Sequence, residues 1–412
     1  MTLSGSNLPE GSKEARLPRR DWILLPLIGL LTVCLLAGST ELIATWIYPR
    51  YRGNVENCLV LDDPSAGARG IPNCKCWGNA QEGPRIEYRF NACGHRAATD
   101  CGYKQPGTYR IVQVGASQAF GYGVANESTL AELLPLRLSR QLGRQVELYN
   151  ESMARFGYPH VVSRRFKEAL AAHPDMILWM LTPHDVADQP LTLGTPETPK
   201  PAEQAVLTSG KPSGFFPKAW GVLKMEFVHK PIPDAIREIS DRTRSVLLLR
   251  VLLYENRKRY VKNFLMGGGD AEYLRSESTE ETDTHLQQFD RDAADIEKQA
   301  AAEGIPLVAF FVPNRAEAAM ISMGEWPAGF DPYKLGEQLR AIVTRHGGIY
   351  IDILPDYRNL PNPEQGYYRV DGHLNADGNA MISKMLAKEL TSGAIPALSA
   401  TGQTQPAFEK GK

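Results

Sequence analysis

The sequence predicts an α/β fold: a three-layer α/β/α sandwich around a five-stranded parallel sheet, set behind an N-terminal transmembrane helix. Three observations carry this. Short apolar runs at 111–114, 145–149, 176–181, 307–312 and 350–353 alternate with helical patterns that have one apolar face. That alternation argues for parallel strands covered on both sides. A glycine-rich turn follows the first run and opens a helix, and a nearly uncharged stretch at 22–48 is long enough to cross a hydrocarbon layer of roughly 30 Å.

The 412 residues allow one large domain with additions, or two domains. Net charge is −1 with no long basic run, so nucleic acid is not an expected partner. A hydrophobic share of 43% supplies enough apolar mass for a sizeable core.

Residues 1–20 are polar, carry Lys13, Arg16, Arg19 and Arg20, and read as a cytoplasmic tail. The anchor follows at 21–48. Glu41 is its only charge between Asp21 and Arg50, and Cys34 reads as apolar filler. A cleaved signal peptide is the rival, because Ala37, Gly38 and Ser39 are small. An uncleaved anchor is preferred: the apolar pattern resumes at Leu42, and Trp46 and Tyr48 suit a membrane interface. Four basic residues before the span, against Arg50 and Arg52 after it, favour an N-terminus inside. The expected location is a single-pass inner-membrane protein whose bulk faces away from the cytoplasm.

Residues 49–107 form a juxtamembrane segment with Cys58, Cys74, Cys76, Cys93 and Cys101. Such clustering fits disulfides in an oxidising compartment. Cys93 with Cys101 would close a small loop, Cys58 with Cys74 or Cys76 a larger one, and one thiol is left over. The rival, a metal site from Cys74, Cys76, Cys93 and His95, has the spacing of no common zinc ligand set.

The main domain is expected over 108–392. Ile111, Val112 and Val114 make its first strand, which breaks at Gly115 and delivers Ser117 to the turn. Leu130, Leu133, Leu134 and Leu138 line one face of the next helix, and Gly143 is placed to end it. A second strand ends at Asn150, and a helix with Val162, Phe166 and Leu170 follows. The third strand ends at Thr182-Pro-His184-Asp185. An insertion is expected at about 187–283. Its first part, 191–214, reads as loop, and 236–265 as a long helical pattern whose leucine run at 245–254 is too short to span a bilayer. A buried helix or a lid over the active edge is preferred there to a membrane-dipping element. Arg244, Arg250 and the Arg257-Lys-Arg259 cluster keep the last option open. Gly267-Gly-Gly269 is a joint and, lacking a following Lys-Ser/Thr, no phosphate loop. The alternation resumes with a polar helix at 284–302, a strand, a helix near 333–346 and a last strand, and a flexible tail occupies 393–412.

Ser117 falls at the carboxyl edge of the sheet, where ligands sit in open α/β folds and helix-start amides face developing negative charge. On local pattern alone it reads as a helix cap ahead of a nucleophile. Far along the chain, Asp371 and His373 precede a helix with Met381, Ile382, Met385 and Leu386 on its face. A serine nucleophile needs an imidazole to accept its proton and a carboxylate to orient that ring. Asp371 and His373 supply both from one loop, or are a turn former and a solvated histidine. Asp352 competes as the orienting acid.

Gly115-Ala-Ser117-Gln-Ala-Phe-Gly-Tyr-Gly-Val124 resembles the "GDSFTFGYGV" form of the SGNH (GDSL-type) hydrolase superfamily, and Asp371-Gly-His373-Leu-Asn375 resembles its "DGHxN" form. Asn91-Ala-Cys-Gly-His-Arg96 looks like the "NxxGxR" lead-in of some membrane-anchored members. The resemblance covers about 85–390 and implies a flavodoxin-like five-stranded sandwich. It implies Ser117 as nucleophile, His373 as base and Asp371 as orienting acid. Ser152 and His184 stand where the family has its oxyanion glycine and asparagine, with Gly115 beside the serine. No cofactor or metal is expected; a metal-dependent reading through His373, Asp371 and Asp377 lacks further ligands. The implied substrate is an O-acyl ester, such as acetyl, on envelope carbohydrate or lipid. An O-acyltransferase with the same triad and a catalytically silent glycan- or partner-binding module are the alternatives.

Overall fold

The structure is a computed structural model, and it describes residues 20–50, 53–63, 67–97, 100–155, 157–187 and 243–399. The expected cytoplasmic tail, the loop at 191–214, residues 236–242 and the end of the C-terminal tail lie outside the described residues.

Five parallel strands make the central sheet: β5 (Tyr109–Val114), β6 (Val146–Asn150), β7 (Met176–Leu181), β8 (Leu307–Phe311) and β9 (Ile349–Ile351), in the order β6-β5-β7-β8-β9. β5 and β7 lie inside the sheet, so every residue of both is buried, which suits their unbroken apolar runs. Helices flank the sheet. α3 (Leu130–Leu142) packs on α12 (Ala376–Glu389), and α4 (Pro159–Ala171) on α8 (Glu280–Ala302). Trp179 of β7 stacks on Phe289 of α8 with ring centroids 5.5 Å apart, in the fully buried centre. α3 ends where expected: Gly143 takes a left-handed conformation and its amide bonds the Ser139 carbonyl.

Ahead of the sheet, α1 (Asp21–Ile47) is long and apolar enough to cross a membrane, with mean hydropathy 2.2. Two hairpins follow, β1 (Leu59–Asp63) with β2 (Gly67–Gly70) and β3 (Lys75–Gly78) with β4 (Ile86–Arg89). Disulfides join Cys58 to Cys74 and Cys93 to Cys101, leaving Cys76 as a buried thiol. These hairpins are no stalk. Ile86, Tyr88 and Phe90 share a core with Phe120, Met153 and Ala154 of the main domain.

The insertion differs from expectation. The helical pattern at 236–265 is two helices among the described residues, α6 (Arg244–Leu253) and α7 (Arg257–Leu265), separated at Tyr254 to Asn256, where the Asn256 side chain caps α7. Nor is α6 a buried helix. It packs against α1, and Leu249 and Leu252 stay exposed. The polar helix α8 begins at Glu280, four residues before the expected start, because Thr279 and Thr282 form a capping box there.

Three helices complete the C-terminal half: α9 (Arg315–Met323), α10 (Lys334–Arg345) and α11 (Leu354–Arg358). Two further short helices flank the sheet's carboxyl edge, α2 (Ser117–Phe120) after β5 and α5 (His184–Ala187) after β7.

Candidate active site

The site is assembled on the carboxyl end of β5. Gly115 carries φ 147°, and a Cβ there would come within 2.8 Å of both the Ala119 methyl and the Met180 carbonyl oxygen. Only glycine permits this turn, which sets Ser117 as the first residue of α2. The histidine arrives on a tight loop at 368–373, held by Tyr368 and His373 backbone atoms (2.8 Å) and by Gly372 at φ 86°.

The two loops meet. Ser117 Oγ lies 2.7 Å from His373 Nε2, and His373 Nδ1 lies 2.6 Å from Asp371 Oδ1. With Nδ1–H donating to the carboxylate, Nε2 is left to accept the serine hydroxyl proton. Burial pushes the Asp371 carboxyl upward, but the His373 hydrogen bond and charge outweigh it and hold Asp371 below the usual carboxylate range. The carboxylate therefore stays ionised beside the ring it orients.

Neighbouring groups fix these three. Gln118, the residue after the serine, accepts the Leu374 amide (2.9 Å) and donates to the Gly372 carbonyl (3.4 Å), gripping both sides of His373. The Tyr122 ring lies against the imidazole, with centroids 4.9 Å apart. From the turn between β3 and β4, the Gln81 amide donates to Asp371 Oδ2 (3.4 Å), and Glu82 accepts the amides of Val370 (2.6 Å) and Asp371 (3.2 Å). Burial, joined by the Asp371 charge, raises the Glu82 carboxyl above its ordinary value despite those amides.

Arg96 holds the turn beyond Ser117 from behind. Its buried guanidinium donates to the carbonyls of Phe120 (2.9 Å), Gly121 and Val124 and to Asn126 Oδ1 (3.2 Å), and stacks over the Tyr88 ring at 4.5 Å. Burial lowers it to about 10, so it remains charged near neutrality. This gives the Asn-x-x-Gly-x-Arg stretch a physical reading. Asn91 Oδ1 accepts the Cys93 and His95 amides (3.0 and 2.9 Å), Gly94 passes against Gly70 where a Cβ would overlap its backbone, and Arg96 is thereby aimed inward.

Three sequence-derived site residues sit differently. The Ser152 amide donates within its own loop to Asn150 Oδ1 at 3.1 Å, and its side chain is buried. His184 stands at the start of α5. Asp185 caps its own turn through the Thr182 amide and hydroxyl (2.7 and 2.8 Å), while the His184 ring points to Asp270, with Nε2 3.5 Å from its carboxylate. Gly115 works through its conformation, and its carbonyl accepts the Met153 amide at 3.1 Å. Asp352, the rival acid, accepts the Leu354 amide at the end of β9 and lies 3.6 Å from Arg340.

Gly157 is the glycine that lies against this turn. It packs so closely on the residues ahead of Ser117 that a Cβ would overlap the Gly115 carbonyl, and its amide has no partner among the described residues. The readable signal was a glycine two residues before Pro159, which opens α4. Glu82 and Gln81 carried no such signal, because a polar turn almost 300 residues from its target looks like any solvated turn.

No protein-family model matches the sequence, and no curated protein matches it. Some solved structures are distantly similar. A lipase/acylhydrolase from Enterococcus faecalis is 12% identical with a TM-score of 0.36, covering 68% of this chain and 95% of its own. The esterase EstA from Pseudoalteromonas sp. is 9% identical with a TM-score of 0.35, covering 68% and 96%. The acetyl xylan esterase AlAXEase is 11% identical with a TM-score of 0.35, covering 67% and 97%. The fold itself is a five-stranded parallel sheet flanked by helices. At these identities and TM-scores the likeness carries no assignment, and the chemistry rests on the residues themselves.

Proposed function

We propose that the chain is a serine esterase of SGNH type, anchored by α1 with its catalytic domain outside the cytoplasm, acting on O-acyl esters of envelope carbohydrate or lipid. The single observation that supports it is the continuous relay from Ser117 Oγ through His373 to Asp371, at 2.7 and 2.6 Å. Ser117 attacks the ester carbonyl while His373 takes its proton, and Asp371 holds the ring and stabilises the imidazolium that forms. The oxyanion is held by the Ser117 amide at the start of α2 and the Gly157 amide beside it, each such donor being worth about 3 kcal/mol of barrier. His373 then protonates the leaving alcohol. Water, activated by the same ring, releases the acid and restores Ser117; a sugar hydroxyl in its place would give an acyltransferase.

A fluorophosphonate probe tests the reading on the full chain in detergent. Labelling is expected that Ser117→Ala abolishes and that short acetyl esters compete away. Absence of labelling, with no ester turnover, would leave the binding-module reading instead.

A further inference from the structure

Glu41 is the one carboxylate within the apolar length of α1, a position where a charge is costly unless it has partners. Its oxygens accept the amides of Arg244 (2.9 Å) and Ser245 (2.8 Å), so it fastens the N-terminus of α6 to the anchor. The Arg244 guanidinium then donates to the Gln81 carbonyl (3.2 Å), and the Gln81 amide donates to Asp371 Oδ2 (3.4 Å). Three hydrogen bonds thus link a side chain of the apolar helix to the carboxylate of the Ser117–His373–Asp371 relay.

The surface beside that link is apolar and then basic. Leu249 and Leu252 of α6 are 54% and 57% exposed, and Met266, just after α7, is 76% exposed. The helix α6 packs against α1, in whose last turn Trp46 is 82% exposed. Arg259 and Lys262 are exposed on α7, and Lys258 is paired with Glu325 at 2.5 Å. Leucines followed by basic residues, beside a membrane-spanning helix, match an element that lies in the headgroup layer.

We propose that α6 and α7 form a second membrane contact beside the anchor and seat the Ser117 site on the bilayer surface, so that its ester is carried by a membrane-resident lipid. The substrate part rests on the esterase reading; the seating rests on α1 as the anchor and on the packing of α6 against it.

Full-length protein in phosphatidylethanolamine–phosphatidylglycerol vesicles, with Cys34→Ala to remove the exposed thiol of α1, would carry a nitroxide at Leu249→Cys, Leu252→Cys or, for reference, Glu303→Cys. Labels at 249 and 252 are expected to be more accessible to oxygen than to a water-soluble nickel chelate, and the label at 303 the reverse. Equal nickel accessibility at all three sites would overturn the seating. So would shielding from both reagents with dipolar broadening, which would mean that a second copy covers the face. For the substrate, Leu249→Glu with Leu252→Glu should lower turnover of a long-chain ester dissolved in the vesicles roughly tenfold, the scale of re-exposing about one leucine. Turnover of a soluble acetyl ester should hold. Equal loss on both esters, or on neither, overturns the lipid substrate. If the unaltered protein turns over neither ester, the esterase reading has failed, and the labels still decide the seating.

Discussion

At the scale of single residues, the site depends on groups that hold the relay as much as on the relay. Asp371 keeps the ring in the tautomer that leaves Nε2 free, so Asp371→Asn is expected to lower kcat about 10³-fold or more with Ser117 still in place. Glu82 acts one step out, accepting two amides of the loop that carries Asp371. Glu82→Ala leaves both donors without an acceptor and lets the loop drift. Steady-state kinetics on a soluble ester should show kcat reduced roughly tenfold with KM nearly unchanged. A drop confined to thermal stability, with kcat intact, would make Glu82 merely structural.

Among the elements, the turn between β5 and α3 owes its shape to a side chain from the cysteine-bearing segment. Arg96 satisfies three carbonyls and one amide oxygen there while fully buried. Arg96→Leu would strand those acceptors, each unsatisfied buried group costing about 1–3 kcal/mol, and should lower the unfolding midpoint and the fluorophosphonate labelling rate together. Gly157→Ala belongs to the same scale. The added methyl overlaps the Gly115 carbonyl, so the loop must retreat from Ser117. Labelling is expected to slow on the order of 10²-fold while circular dichroism stays native.

Across the whole molecule, stability carries a pH signature from a group the relay does not use. Glu317 of α9 is fully buried; one oxygen accepts the Asn314 amide at 2.6 Å and the other has no partner among the described residues. Burial pushes this carboxyl up to about 8 from an ordinary 4.5. A folded-state value above the unfolded one means the native state holds the proton longer. Its contribution is therefore complete below the ordinary value and declines as pH rises towards about 8. Denaturant titrations of the detergent-solubilised chain should lose about 3 kcal/mol between pH 5 and pH 8, and Glu317→Gln should remove most of that slope. A slope unchanged in the variant would place its origin elsewhere.

What the sequence alone determined is whatever has a local period or a local steric need. The buried strands announce themselves as unbroken apolar runs, α3 by its leucine face and Gly143, α1 by its length without charge, and the Ser117 turn by a glycine no other residue replaces. The tight Asp371-Gly-His373 loop is likewise written within a few positions. The tertiary structure decided everything that depends on distance along the chain: which carboxylate meets His373, that Gly157 packs on the backbone just ahead of the serine, that Glu82 reaches across from a hairpin and Arg96 from the loop after it, and that Glu41 holds α6. Hydrogen bonds between segments hundreds of residues apart leave no periodicity, because their partners are chosen by the packing of apolar surfaces that bring the segments together, and polar side chains at such points look, in one dimension, like any solvated turn.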